Sequence, residues 1–193
     1  MKRLFIAVPI QETSRIEIVQ GILTDSNIKK MPVRWTAIQN LHLTLQFLGD
    51  IEEKDITKIT AILDNINSPI KNEKLVFTKV GAFPSSSAPR ILWIGIEKND
   101  YLLKIQQYVT RSLDEAGFTV DHKRFKPHLT LGRVRENGSL PIDAFTYIEE
   151  IRNGLNVSDS SLDRVTLFES CLRPGGPIYT TVYEKMLNSR NLL

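Results

Sequence analysis

His42-Leu43-Thr44-Leu45 and His128-Leu129-Thr130-Leu131 are the same tetrapeptide, occurring twice in one chain. Each copy alternates polar and apolar residues, the period of a strand buried on one face. Histidine and threonine then share one face, and the two leucines point into a core. Each copy presents an imidazole and a hydroxyl side by side on a rigid element. A single such histidine is ordinarily structural. Repetition changes that reading, because only three histidines are present and two of them occupy identical settings. Brought together, the copies supply a base, an acid and neutral hydrogen-bond donors around one cleft, which is what proton-transfer chemistry at a phosphate requires.

Working outward, 1–10 reads as a first buried strand. Its two basic residues and apolar run resemble a secretory leader, but Pro9 interrupts the run, Gln11-Glu12 ends it and no small-residue cleavage site follows. Helical spacing covers 11–24, with Thr13 or Ser14 near the start, and again 52–66. A short extended piece covers 33–36. The first motif strand spans 41–48 and stops at Gly49-Asp50. Strands at 75–83 and 90–97 flank a turn-rich loop at 84–89. Asp100 is placed to cap a helix running to Ala116, with Gly117 as its stop. The second motif strand spans 128–134, and a helix is expected over 142–152. Strands at 162–172 and 178–186 are joined by Arg173-Pro174-Gly175-Gly176-Pro177, a strong hairpin turn. Residues 188–193 are the one stretch that reads as disordered. Interleaved helices with evident hairpins imply an α+β class with largely antiparallel sheet. The motifs lie a little under half the chain apart, each followed by a helix, which fits two similar lobes within the single domain that 193 residues allow.

Composition narrows the chemistry. A formal net charge of +3 is compatible with a phosphate or nucleic-acid ligand without demanding one. Cys171 stands alone, so no disulfide within the chain and no cysteine-based metal site are expected, and a reducing, cytoplasmic compartment fits. No stretch is long enough to span a membrane. Gly-x-Ser-x-Gly, His-Glu-x-x-His and P-loop patterns are absent. Two histidines with few carboxylates nearby do not complete a metal shell. Histidine titrates near neutrality, so one imidazole serves as base and the other as acid without a cofactor. Hydrolysis of a phosphodiester by water is the reaction class that fits best. A non-catalytic binder of RNA or nucleotide phosphates is the alternative, although a pure binder gains more from lysine or arginine than from histidine.

The motif pair resembles the 2H phosphoesterases, and within them the RNA 2′,3′-cyclic phosphodiesterase branch, also called 2′-5′ RNA ligases. The resemblance runs through Arg3-Leu4-Phe5-Ile6-Ala7, Arg34-Trp35, Asn40 to Gly49, Arg90 to Gly95, Phe125 to Arg133, Leu167-Phe168-Glu169-Ser170 and Gly176-Pro177-Ile178-Tyr179. Both histidines and both threonines of the pattern are intact. The resemblance implies a bilobal LigT-like fold, with two largely antiparallel sheets lining a central cleft and helices packed outside. It also implies no metal or other cofactor. The substrates implied are RNA ends or nucleoside 2′,3′-cyclic phosphates, opened by water to leave a 2′-phosphate. By analogy His42 is the proton donor to the departing 3′ oxygen and His128 the acceptor from water. Thr44 and Thr130 bind the phosphate oxygens. The reverse reaction would join ends through a 2′-5′ linkage without ATP. One chain supplies both motifs, so a monomer is expected.

Beyond the pair, Arg133 would face away from His128 on a regular strand, but a bend at Gly132 would return it to the cleft as a phosphate ligand. Phe125 is the preferred base-stacking residue, with Trp35, Phe47 and Trp93 as further aromatic candidates and core packing the default for Phe47 and Trp93. Arg90 sits at a strand start where it could line the cleft. Lys123, Arg124 and Lys126 read as a solvated basic loop, His122 as surface or structural, and Cys171 as a small buried apolar residue.

Overall fold

A computed structural model describes residues 1–66, 73–136, 138–154, 157–174 and 176–187. The expected tail at 188–193 lies outside the described residues. In chain order the elements are β1 (Lys2–Pro9), α1 (Glu12–Leu23), α2 (Ser26–Lys30), β2 (Val33–Trp35), β3 (His42–Ile51), α3 (Ile56–Asp64), β4 (Lys74–Leu75), β5 (Phe77–Ser85), β6 (Ala88–Ile96), α4 (Asp100–Glu115), β7 (His128–Val134), α5 (Ala144–Asn153), β8 (Ser160–Ser161), β9 (Arg164–Arg173) and β10 (Gly176–Met186).

All strand pairs described are antiparallel. One lobe is the sheet β10-β9-β1-β3, and the other is β7-β6-β5 with β2 paired to β7. Among the described residues a single strand pair, Leu43 opposite Leu129, joins them. The two motif strands are therefore the seam of the molecule. Both leucines are fully buried. The alternation of the motif produces this directly: apolar positions sink into the core at the seam, and the polar positions are left facing the cleft. Helices cover the outer faces, with α3 and α4 packed together, α4 against β3, and α5 against β5 and α1. The core gathers Leu4, Ile6 and Val8 of β1 with Ile18 and Ile22 of α1, Ile59 and Leu63 of α3, and Leu102, Val109 and Leu113 of α4. No helix among the described residues is long and apolar enough to cross a membrane.

Several boundaries differ from the sequence expectation, each for a local reason. Asn99, rather than Asp100, caps α4: its side chain accepts from the Leu102 N–H at 2.9 Å, and Asp100 becomes the first helical residue, where its charge favours the helix dipole. No side chain caps α1, which starts after Gln11. The five-residue α2 is too short to show a period and is set by Asp25, whose carboxylate accepts from the Asn27 and Ile28 N–H groups. β3 continues past Gly49 to Ile51, because pairing with β1 extends to Lys2. The loop expected at 84–89 shrinks to Ser86-Ser87, with Ser85 and Ala88 paired. A 3-10 turn at Glu53–Asp55 takes the first residues expected for α3.

Candidate active site

Each motif histidine is held in the same way. Nδ1 of His42 lies 2.7 Å from the Asn40 carbonyl, and Nδ1 of His128 lies 2.6 Å from the Lys126 carbonyl. A carbonyl only accepts, so both rings donate from Nδ1 and leave Nε2 as the nitrogen open to chemistry. Antiparallel register through Leu43 and Leu129 brings His42 level with Thr130, and Thr44 level with His128. The four polar positions of the motifs thus form a two-fold-like arrangement about the seam. All four are half-buried. Neither threonine hydroxyl is hydrogen-bonded among the described residues.

The symmetry extends to a matched pair of bulges. Opposite β1, Ala7 pairs with Thr44 and Ile6 with Gln46, so Leu45 is an extra residue. Opposite β6, Trp93 pairs with Thr130 and Leu92 with Gly132, so Leu131 is extra. Each bulge reverses the alternation beyond it. Gln46 and Gly132 become buried, and Phe47 and Arg133 turn onto the histidine face. Arg133 therefore reaches the cleft, through an extra residue at Leu131 beside the bend expected at Gly132. Gly132 itself is required there: a Cβ would lie 2.6 Å from Val33 Cγ1 and 2.9 Å from the Arg34 carbonyl oxygen. Phe47, whose default reading was core, is 63% exposed.

Aromatic rings line both sides. Phe5 and Tyr179 lie 4.8 and 5.2 Å from the His42 ring, Tyr179 edge-on. Phe168 stacks on Phe5 at 5.3 Å. Phe83 meets His128 edge-on at 5.0 Å, and Trp93 lies 6.2 Å away. Trp93 lies against Gly81 of β5, where any Cβ would come within 2.3 Å of the indole. Lys126 holds its ammonium over Trp93 at 4.5 Å and over Phe83 at 5.3 Å, a cation–π arrangement beside His128. At the equivalent place in the other lobe, the Asn40 side chain donates to the Pro177 carbonyl at 2.7 Å. That bond ties the β9–β10 hairpin down where Tyr179 meets His42.

Burial disfavours the imidazolium at both sites. It pushes His42 down to about 4, against the Asn40 hydrogen bond that favours the charged form, with the nearby His128 lowering it further. His128 is also lowered, first by burial and then by the Lys126 cation, and its bond to the Lys126 carbonyl opposes this. Burial raises the Tyr179 phenol while the Arg133 charge lowers it, so Arg133 of one lobe is within electrostatic reach of Tyr179 of the other.

Of the residues expected from sequence, His42, His128, Thr44, Thr130 and Arg133 share the cleft face. Phe125 does not join them. It is half-buried, packs on the core and lines a separate concavity of about 720 Å³ with Leu103, Gln106 and Gln107 of α4. The residue before Lys126 is turned toward the helix, whereas Lys126 reaches over Trp93. Sequence reasoning missed Asn40, Phe5, Phe83 and Tyr179 as neighbours of the histidines, because strand pairing decides which aromatic rings arrive there. The equal spacing of Asn40 and Lys126, each two residues before a motif histidine, was an available signal. No group of three or more histidine, cysteine, aspartate or glutamate residues able to hold a metal occurs among the described residues.

Paired imidazole–threonine units on the seam of two antiparallel sheets define a two-histidine phosphoesterase architecture. The sequence profile of the LigT like Phosphoesterase family matches twice in succession, over residues 22–93 and 94–179, with one motif in each match. The chain belongs to this family. It is 36% identical to the RNA 2′,3′-cyclic phosphodiesterase of Archaeoglobus fulgidus over 179 residues, covering 92% of this chain and 96% of that protein. It is 30% identical to the protein of the same name from Thermotoga maritima over 185 residues, covering 94% of each. Among solved structures, E. coli LigT complexed with 3′-AMP superposes with a TM-score of 0.77 at 22% identity, covering 97% of this chain and 99% of that one.

Proposed function

We propose that the chain hydrolyses a terminal 2′,3′-cyclic phosphate on RNA to a 2′-phosphate, using its two motif histidines and no metal. The reading rests on one observation above all: two imidazoles, each locked by its own Nδ1–H, present Nε2 across the Leu43–Leu129 seam with a threonine hydroxyl beside each. The curated relatives of the same length carry the name of this activity. Neutral His128 takes a proton from water as the water oxygen bonds to phosphorus. The bond from phosphorus to the 3′ oxygen breaks, and the proton on His42 Nε2 passes to that oxygen. Thr44, Thr130 and Arg133 hold the remaining phosphate oxygens. The burial that depresses His42 makes its imidazolium a strong acid once the bound phosphate anion has charged it. Phe47, exposed on the same face, is the stacking platform for the terminal base in place of Phe125. The reverse steps would join a cyclic-phosphate end to a 5′-hydroxyl end through a 2′-5′ bond. One chain carries both histidines, so a monomer suffices.

The test is a short RNA ending in a 2′,3′-cyclic phosphate, incubated with excess EDTA and resolved against 2′- and 3′-phosphate standards. The expected result is the 2′-phosphate, lost in His42→Ala and His128→Ala. A 3′-phosphate product, or turnover that survives both substitutions, overturns the mechanism. Tight binding without turnover returns the protein to the class of phosphate binders.

A further inference from the structure

The segment that anchors His128 also walls a second hollow. Phe125, which the cleft does not use, lines a concavity of about 720 Å³ against α4. Leu103 and Gln106, three residues apart on one helix face, form the opposite wall. Gln106 is 8% exposed, and a relay of hydrogen bonds orients its amide. Gln46 donates from Nε2 to the Phe47 carbonyl at 3.2 Å, so its Oε1 is the atom that accepts from the Thr110 hydroxyl, also at 3.2 Å. Thr110 has then given its one proton and must accept, which it does from Gln106 Nε2 at 2.9 Å. Oε1 of Gln106 accepts no hydrogen bond among the described residues. A nearly buried acceptor on the wall of a concavity calls for a donor.

The charged part of the lining is cationic. Lys98, Arg124 and Lys126 border the concavity, and no carboxylate among the described residues lines it. Arg124 is exposed and has no hydrogen bond or ion pair among the described residues. Lys126 stands between the two hollows: its ammonium lies over Trp93 and Phe83 in the cleft, and its carbonyl holds His128. Phe125 and His128 are three residues apart, so at most about 11 Å separates their Cα atoms. A ring, a fixed acceptor and an unpaired cation suit a nucleotide, offering a face to the base, a partner to its amino group and charge to its phosphate. Resting on the reading above, we propose that this concavity binds the nucleotide immediately 5′ of the one carrying the cyclic phosphate. Phe125 receives its base, Gln106 Oε1 accepts from the exocyclic amino group, and Arg124 and Lys126 hold the phosphate that links it to the terminal nucleotide. The preferred substrate is then an RNA strand rather than a free nucleoside cyclic phosphate, and the favoured penultimate base bears an amino group.

The experiment compares adenosine 2′,3′-cyclic phosphate with the dinucleotides CpA and UpA ending in the same cyclic phosphate, on wild type, Gln106→Leu and Arg124→Gln. Wild type is expected to favour the CpA substrate over the mononucleoside in kcat/KM by about tenfold or more, the contribution of one stacked base. It is expected to favour CpA over UpA by about fivefold, since uracil presents an oxygen to Gln106 where cytosine presents an amino group. Gln106→Leu is expected to erase the cytosine preference, and Arg124→Gln to cut the advantage of the dinucleotide by about threefold or more. The mononucleoside does not reach the concavity, so both variants are expected to turn it over within about twofold of wild type. Arg124 is exposed, so its variant carries the test should Gln106→Leu fail to fold. Equal kcat/KM on all three substrates, a cytosine preference that survives Gln106→Leu, or a dinucleotide advantage that Arg124→Gln leaves intact overturns the proposal. If the dinucleotides are no better than the mononucleoside while cytidine 5′-monophosphate binds wild type and not Arg124→Gln, the concavity is a site for a free nucleotide and the strand reading is wrong. If wild type turns over none of the three, the proposed reaction fails. The concavity is then decided separately by affinity for CpA and UpA with free 2′ and 3′ hydroxyls, which must differ in wild type and become equal in Gln106→Leu for it to stand.

Discussion

The lobe carrying His42 and the lobe carrying His128 share a frame and differ in what hangs on it. Both anchor the histidine on a carbonyl two residues before it, both place a threonine two residues after it, and both insert an extra leucine next. After the bulge they diverge. The first lobe presents Phe47 beside Phe5, Phe168 and Tyr179, and the second presents Arg133 opposite Arg34 with Lys126 beside His128. Both walls of the cleft carry aromatic rings, and only the second sets cations among them. A symmetric pair of imidazoles has no means of choosing which is acid and which is base. The unequal surroundings distinguish the two, burial depressing His42 most strongly and the Lys126 charge adding to burial at His128.

The sharpest break of the symmetry is functional. His42→Ala and His128→Ala are each expected to lower kcat by about 10²–10⁴, the range of a lost general acid or base. If the histidines form one proton-transfer unit, the double variant loses no more than the worse single one. Additive losses, measured by single-turnover kinetics, would show two independent binding groups instead.

The seam itself is the next comparison. Leu43 and Leu129 are both fully buried and face one another at the residue pair that joins β3 and β7 among the described residues. Truncating either to alanine is expected to cost about 2–5 kcal/mol of stability in denaturant titration. Equal losses fit a two-fold seam. A cost confined to one leucine would mean that one lobe can collapse around the cavity and the other cannot.

What the sequence disclosed follows the same division between frame and decoration. The repeated alternation of His-Leu-Thr-Leu revealed the motif strands, their buried and open faces and the functional pair, since each of those depends only on the period of a strand. The bulges were not legible, because an extra residue is defined by the partner strand and not by the strand that bears it. Phe47 and Phe125 therefore exchanged expected places: parity sent Phe47 to the core, and the bulge at Leu45 returned it to the cleft. Proximity in sequence favoured Phe125, yet the chain turns it toward α4. Arg34 entered only through the resemblance, because a three-residue strand has too little pattern to predict its register opposite Arg133. Asn99 took the cap expected of Asp100 because both are competent caps, and its amide also bonds Glu73 and the Lys74 carbonyl.

A smaller effect separates the histidines by pH. The folded value of His42 is about 4, below the roughly 6.5 of an unfolded chain. Between those values the unfolded state binds more protons, so stability rises with pH there. The contribution is fully present above pH about 6.5 and is lost as pH falls toward 4. His42→Gln is expected to remove about 2 kcal/mol of that acid-side loss, allowing for solvent at the half-buried ring. His128 is shifted in the same direction, so His128→Gln should flatten the same window to a lesser degree. Urea titrations at a series of pH values decide it. A wild-type curve that is flat between pH 6.5 and 4 would contradict the desolvated setting of His42.

The finest comparison sets Phe47 against Arg133, the two residues that the matched bulges turn into the cleft. They occupy equivalent positions, so substitution at either perturbs the frame equally little. Their chemistry predicts opposite signatures in the binding of an adenosine 2′-monophosphate product carrying a 5′-phosphate. Phe47→Ala is expected to weaken binding by about tenfold with its salt dependence unchanged, as loss of base stacking requires. Arg133→Gln is expected to reduce the slope of log affinity against log salt by about 0.7, as loss of one phosphate contact on a single strand requires. Affinity measured at several ionic strengths separates the two. If Phe47→Ala changes the slope, or Arg133→Gln leaves it untouched, then the matched bulges do not divide the work between a ring that reads the base and a guanidinium that holds the phosphate.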